Sequence, residues 1–474
     1  MKRTIFVIVA LLIVVAAAPW AIGWWTEHLV RERVAQVNGD KAAKVRLRID
    51  SYARGWRGAT ARISIADRSG ASMVTLAAAI RHWPFASGGP ADWVAVPELG
   101  ESVRETLGPW GDKLPELTTR TELSWGGDVH TQIESPAFKR RVPEIAGGTL
   151  EIAAISGTVD WRRGGALAYD FALPVFRMER QGSDAAAPPN VVEFKDAVLK
   201  GDGSLGTPDR RWNQKGSLVA VSMTVTEAGK TVLTAATPSL TYGTRDEGDY
   251  AGMQFGFTLA SVSARNALQN LTDATLAISF DARHIAKEPL GRYLDANPGT
   301  PVAMAGQPGR APASYQQLGE VVFEVLRGSP AADLQFSLKS REGRVELKLA
   351  LAFDGLGFDP DVSGSTWMRR LDAELNARAT TALVIASAQA GASAAAGMLR
   401  PPGAGRSGIT LPGEPPPDPA AAARQQLSEA AAQGLVRMEG DEVVTTVRWH
   451  DGQLTINGQD MNALRDLAQG LTGR

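Results

Sequence analysis

The chain has 474 residues, a formal net charge of −1 from 50 Lys and Arg against 51 Asp and Glu, five histidines and no cysteine. That length can bury a large core across two or three domains. The balanced charge offers no basic excess for nucleic acid, and the missing thiols exclude disulfides, cysteine nucleophiles and thiolate metal sites.

Residues 1–4, with Lys2 and Arg3, form a short basic tip, and residues 5–25, IFVIVALLIVVAAAPWAIGWW, carry no charge. About 20 apolar residues cross about 30 Å of hydrocarbon as a helix. The run from Ile5 through Leu12 therefore predicts a transmembrane signal-anchor, with Trp20, Trp24 and Trp25 at the headgroup level, where indoles prefer to sit. The positive-inside rule keeps Lys2 and Arg3 in the cytoplasm, which predicts a single-pass protein of the bacterial inner membrane with its bulk in the periplasm. Ala16-Ala17-Ala18 offers a peptidase-like site, but Pro19 would follow the cut and the apolar run continues past it, which favours an uncleaved anchor.

Residues 26–44 read as a helical stalk. From 45 to 385 the period changes to two: Val45, Leu47 and Ile49 alternate with Arg46, Arg48 and Asp50, the pattern of a half-buried strand. After a corner at Tyr52–Trp56 the alternation resumes over Ala61–Ala66. It returns at Thr149–Trp161, Leu218–Val225, Thr231–Leu240, Met253–Ser263, Ala274–Ala282, Leu334–Leu338 and Arg344–Ala352, between turn-forming residues. Helical periods are confined to short pieces near Pro97–Leu107 and Tyr315–Arg327. The fold class is mainly β with some α: after the membrane helix, an elongated, curved antiparallel meander with a few helices, mostly toward the C-terminus. Residues 386–423, rich in Ala, Pro and Gly, read as a loop or linker. Residues 424–474 belong to the same β-rich unit. They hold a helix over Arg424–Gly434, a hairpin turning at Asp451-Gly452, a turn at Asn457-Gly458, and a last helix capped by Asn462.

Several of these blocks carry a likeness. Tyr52-x-Arg54-Gly55-Trp56, then His82-x-Pro84-Phe85, Leu123–Asp128 (LSWGGD) and above all Thr445–Met461 (TTVRWHDGQLTINGQDM) resemble, in the same order, the YdgA family of bacterial envelope proteins, a domain of unknown function. The Pro-rich stretch over Arg400–Pro419 departs from that pattern. The resemblance implies an envelope location and a topology, and brings no catalytic or binding residue.

Signatures of chemistry are weak. Gly201-Asp-Gly203-Ser-Leu-Gly206 fits G-x-G-x-x-G, but Thr207-Pro208 follows it instead of the helix a dinucleotide needs, so a β-turn between strands is expected. Asp354, Asp359 and Asp361 lack the spacing of a calcium loop. His28, His82, His130, His284 and His450 form no H-x-x-x-H or H-E-x-x-H motif. His82 reads as an imidazole packed in an aromatic turn and hydrogen-bonded to backbone, and Arg54 as a buried ion-pair or carbonyl-capping residue at the tight Gly55 corner. No catalytic, cofactor or metal residue is assigned. The expected function is a non-enzymatic envelope structural or interaction protein that binds lipid in a β-sheet groove or engages another envelope protein. The alternatives are a periplasmic hydrolase acting on envelope material and a scaffold docking partners through its Pro-rich segment.

Overall fold

The structure is a computed structural model and describes residues 2–39, 45–67, 70–82, 89–100, 103–104, 116–142, 148–180, 188–204, 213–265, 270–296, 321–358, 367–386 and 419–461. Pro84, Phe85, Gly206, Asp359, Asp361, most of the Pro-rich segment and the helix expected after Asn462 lie outside the described residues. The chain divides into two compact units, residues 1–220 with 243–246 and 294–307, and residues 221–242 with 247–293 and 308–474.

In the first unit, β1 (Val45–Arg54), β2 (Gly58–Asp67), β3 (Ser72–His82), β4 (Ala91–Leu99), β5 (Thr118–Leu123) and β6 (Val129–Ser135) each pair antiparallel with the next. β6 continues to β9 (Ile155–Trp161), β9 to β10 (Ala166–Arg180), β10 to β11 (Asn190–Ser204) and β11 to β12 (Lys215–Val219). The run 149–161, read as one strand, is two. β8 (Gly148–Ile152) lies on the far half of β10 at Phe176 and β9 on its near half at Phe171, with β7 (Phe138–Val142) outside β8. Pro97–Leu99, expected to begin a helix, belongs to β4. Pro97 lies beyond the stretch Ala91–Ala95 that β5 bonds, so its missing N–H leaves no ladder bond to β5 unmade.

A 37-residue helix, α1 (Lys2–Asn38), accompanies this sheet. Among the described residues no helix is long and apolar enough to cross a membrane; the side chains of residues 1–17, Ile5 and Leu12 among them, are not part of that description. From Pro19 onward the helix is packed. Pro19, Ile22, Thr26 and Leu29 are buried, and the floor beneath is alanine: Tyr52, Ala61, Ala78 and Ala95 stand in one cross-strand row, and Ala59 and Ile80 in the next. Short side chains let the helix approach the sheet closely, and Leu29 fills the core with Ala59, Ala61, Ala78, Ala95 and Leu123. Arg33 donates to the carbonyls of Gly127 and Arg163 and lies 4.9 Å from the Trp161 ring centre. At the helix end the Asn38 amide exchanges two bonds with Leu47 on β1, at 2.7 and 2.9 Å. The stretch read as a stalk thus lies on the sheet and does not stand clear of it.

The second unit repeats the meander. β13 (Ser222–Glu227) and β14 (Lys230–Glu247) form a hairpin. β15 (Tyr250–Arg265), β16 (Asn270–Ala286), β17 (Ala331–Ser340), β18 (Gly343–Phe353), β19 (Leu371–Thr380) and β21 (Glu442–His450) pair antiparallel in that order. The other edge of β21 takes β20 (Arg437–Glu439) and β22 (Gln453–Ile456), and β23 (Gln459–Asp460) closes on β22. Further helices include α2 (Lys287–Ala296) and α3 (Pro419–Ala432), and residues 321–326, within the piece expected to be helical near Tyr315–Arg327, are helical too. Mainly antiparallel β with few helices is therefore the architecture.

Candidate functional site

The helix–sheet junction gathers four residues singled out from the sequence. β1 ends at Tyr52-Ala53-Arg54, and the corner closes as the Gly55 N–H donates to the Gly58 carbonyl at 2.7 Å. His82, at the end of β3, donates its backbone N–H to the Arg57 carbonyl and is only 1% exposed. Neither ring nitrogen finds a partner among the described residues. Gly23 of α1 lies directly over it: a Cβ there would stand 2.7 Å from Nδ1. Burial, with the Arg54 charge adding to it, holds the His82 pKa below the ordinary imidazole value. The Tyr52 hydroxyl is also buried and unpartnered, and burial together with the Glu27 carboxylate pushes its pKa up to about 12. Arg54 lies 3.4 Å from Glu27 and 5.3 Å from the Trp20 ring centre. Burial disfavours the charged form of both the His82 imidazole and the Tyr52 phenol. The cluster joins helix to sheet.

The remaining motif residues lie in the second unit. Asp451 and Gly452 both take positive φ, 49° and 75°, as do Asn457 and Gly458 at 50° and 83°, the backbone of tight hairpin turns. The Asn457 side chain accepts from the Thr446 N–H and donates to the Gly434 carbonyl. Gly201 and Gly203 lie within β11, opposite Tyr169 and Leu167, and not in the turn expected there. Gly201 gives room to a cross-strand ring, since a Cβ would stand 2.3 Å from the Tyr169 hydroxyl. Asp354 accepts from the Leu356 N–H, and Arg370 donates to the Asp354 and Leu356 carbonyls, so this aspartate holds a turn.

The second unit's sheet has two faces of opposite character. On one, a groove of about 450 Å³ is floored by Ala331, Ala350 and Ala352 and walled by charges. These are paired across strands: Arg283 with Asp333, Arg448 with Glu374 at 3.1 Å, and His450 Nδ1 with Asp372 at 2.5 Å. His82 and His130 belong to the first unit, and His130 pairs with Asp160 at 2.6 Å. Among the described residues no three His, Asp or Glu side chains gather as metal ligands.

The other face is apolar across six strands. One row runs Phe255, Phe280, Leu334, Leu349, Leu375, Val447 and on to Ile456; the next runs Phe257, Ile278, Phe336, Leu347 and Ala377. The row through Leu259, Leu276 and Leu338 packs with Ala235, Val262, Ala274, Met223 and Leu233. Away from it the cover thins: Met253, Phe255, Phe280, Leu334 and Leu347 are 37–40% exposed. An antiparallel sheet normally buries its apolar face, and contiguous exposed apolar surface marks a place where something binds. The alternation within each strand was readable from sequence. The register that turns alternation into rows was not, because strand partners cannot be read from one strand.

No curated protein and no solved structure matches the chain. The model of a family described as bacterial proteins of unknown function, DUF945, matches residues 1–463, nearly the whole length, and the chain belongs to that family.

Proposed function

We propose that this protein is a non-catalytic, membrane-tethered component of the bacterial envelope that holds acyl chains, or ligands equally apolar, on the open face of its second unit. The observation that carries the reading is the cross-strand row Phe255, Phe280 and Leu334, whose side chains stay more than a third exposed in the middle of a sheet. Full burial of such a side chain is worth about 1.5–3 kcal/mol, and a lipid tail laid across two rows gains the fraction that the exposed third or more of each side chain still holds. The uncharged run 5–25 supports a tether in the inner membrane with the sheets on the periplasmic side, and the YdgA likeness supports an envelope setting. A lipid source then adjoins the protein.

The test is binding of an environment-sensitive fluorescent fatty acid to the full chain, compared with Leu334→Glu and with Lys348→Glu on the charged face. Loss of binding in the first variant alone is the expected result; equal binding by all three proteins removes the apolar face as the site. A hydrolase remains the second reading, because His450 with Asp372 lines a groove. Activity on envelope esters or amides that His450→Ala abolishes would establish it.

A further inference from the structure

We propose that the corner between β1 and β2, Gly55 to Arg57, sits in the phospholipid headgroup layer together with Trp20 and Trp24 of α1. Resting on the tether proposed above, this stands the first unit's sheet directly on the bilayer with no spacer.

Three observations lead there. First, the sheet clasps α1 from Pro19 onward, before its uncharged run 5–25 has ended. Pro19 and Ile22 are buried, and Gly23 lies against His82 and the Arg54 side chain. From Ala18 to Ile22 is about 6 Å of helix, so no length is left for a stalk between an apolar segment in the membrane and the β1–β2 corner. Second, the indoles divide. Trp25, read from sequence as an interfacial anchor, is turned inward: it packs on the first unit's core and stacks on Trp125 at 6.2 Å. Trp20 and Trp24, one helical turn apart, are 54% and 55% exposed, and Trp56 in the corner is 58% exposed. Amphipathic rings more than half exposed where an apolar helix leaves the unit match the aromatic belt of a membrane interface. Third, the Arg54 guanidinium lies over the Trp20 ring, which ties the corner to the helix at that level. Arg57, exposed beside Trp56, adds a positive charge to the corner.

The turn at Gly164 supplies a reference inside the same unit. It neighbours Arg33, whose guanidinium bonds the Arg163 carbonyl. Arg33 is ten residues beyond Gly23, about 15 Å further along the helix axis.

The chain contains no cysteine, so single nitroxide labels can be placed in the full-length protein without removing native thiols. Labels at Leu12→Cys, Trp56→Cys and Gly164→Cys are compared in phosphatidylethanolamine–phosphatidylglycerol vesicles by collision with oxygen, which partitions into lipid, and with an aqueous nickel chelate. An Arg57→Cys label repeats the corner measurement with Trp56 kept. The expected result is a gradient: hydrocarbon at 12, headgroup depth with most of the nickel collisions lost at 56 and 57, and water at 164. A label at 56 as open to nickel as the one at 164, with 12 still in hydrocarbon, overturns the seated corner and leaves the tether standing. A label at 12 exposed to water removes tether and corner together. Shielding at 56 from both relaxants, with broadening that grows with protein density, means a second copy covers the corner and overturns the proposal.

Discussion

At the scale of single residues, Gly23 against His82 sets how closely α1 lies on the first unit's sheet. Alanine is the better helix former by about 0.8–1 kcal/mol, yet here its Cβ would meet the imidazole at 2.7 Å and 2.9 Å. Overpacking of this kind costs about 1–3 kcal/mol, and valine also adds β-branching. Gly23→Val is therefore expected to lower the melting temperature, while Gly164→Ala, with nothing within 4 Å of the added atom, leaves it unchanged; calorimetry of both variants decides. His82 adds a pH dependence. Its lowered pKa means the folded chain holds the neutral ring at a pH where the unfolded chain, near the ordinary value of about 6.5, takes up a proton. Stability from this group is full above about pH 6.5 and falls as the pH drops from there toward the folded pKa, by up to about 1.4 kcal/mol per pH unit. Melting curves should show a steeper acid loss for the native chain than for His82→Leu, and parallel losses would exclude the histidine as the source. None of this could be read from the sequence. His82 looked like a turn residue bonded through its ring, because the glycine that roofs it is 59 positions away in a run that reads as membrane anchor.

At the scale of elements, the C-terminal hairpin was the most legible part. Asp451-Gly452 between alternating residues specifies a two-residue turn, and the structure puts it between β21 and β22, with Val447 opposite Ile456. A non-glycine residue in left-handed backbone costs about 1–2 kcal/mol, so Gly452→Val should destabilise the second unit by about that amount. Denaturant titration followed by the fluorescence of Trp449, whose ring N–H donates to the Met368 carbonyl, would report it. Other elements were misread for identifiable reasons. The Thr149–Trp161 run hid a break because β8 and β9 share β10 as a partner. Gly201 and Gly203 resembled a turn although they are strand residues left bare for Tyr169 and for Gln214, whose side chain a Cβ at 203 would meet at 2.9 Å. Gly157 plays the same part under Phe171, 2.1 Å from an added Cβ, so Gly157→Ala should cost about 1–3 kcal/mol by overpacking, measurable as a shift in the denaturant midpoint.

At the scale of the whole molecule, two β meanders treat their apolar faces differently. In the first unit α1 covers the alanine floor. In the second, the rows through Phe255 and Phe257 carry aromatic and leucine side chains more than a third exposed on four successive strands, β15 to β18. Period-two alternation announced that such faces exist, and the absence of cysteine announced that thiol chemistry does not belong to this protein. Which face is covered depends on where a helix docks, and no periodicity encodes that. Membership of DUF945 fixes the family and leaves the ligand to experiment. The most direct measurement is native mass spectrometry of the full chain extracted in mild detergent, with identification of what travels with it, run beside the double variant Phe280→Glu, Leu334→Glu. Stoichiometric phospholipid or fatty acid on the native chain, lost in the variant while the fold is kept, is the result the account predicts. Lipid retained equally by both proteins, or absent from the native chain, would contradict it.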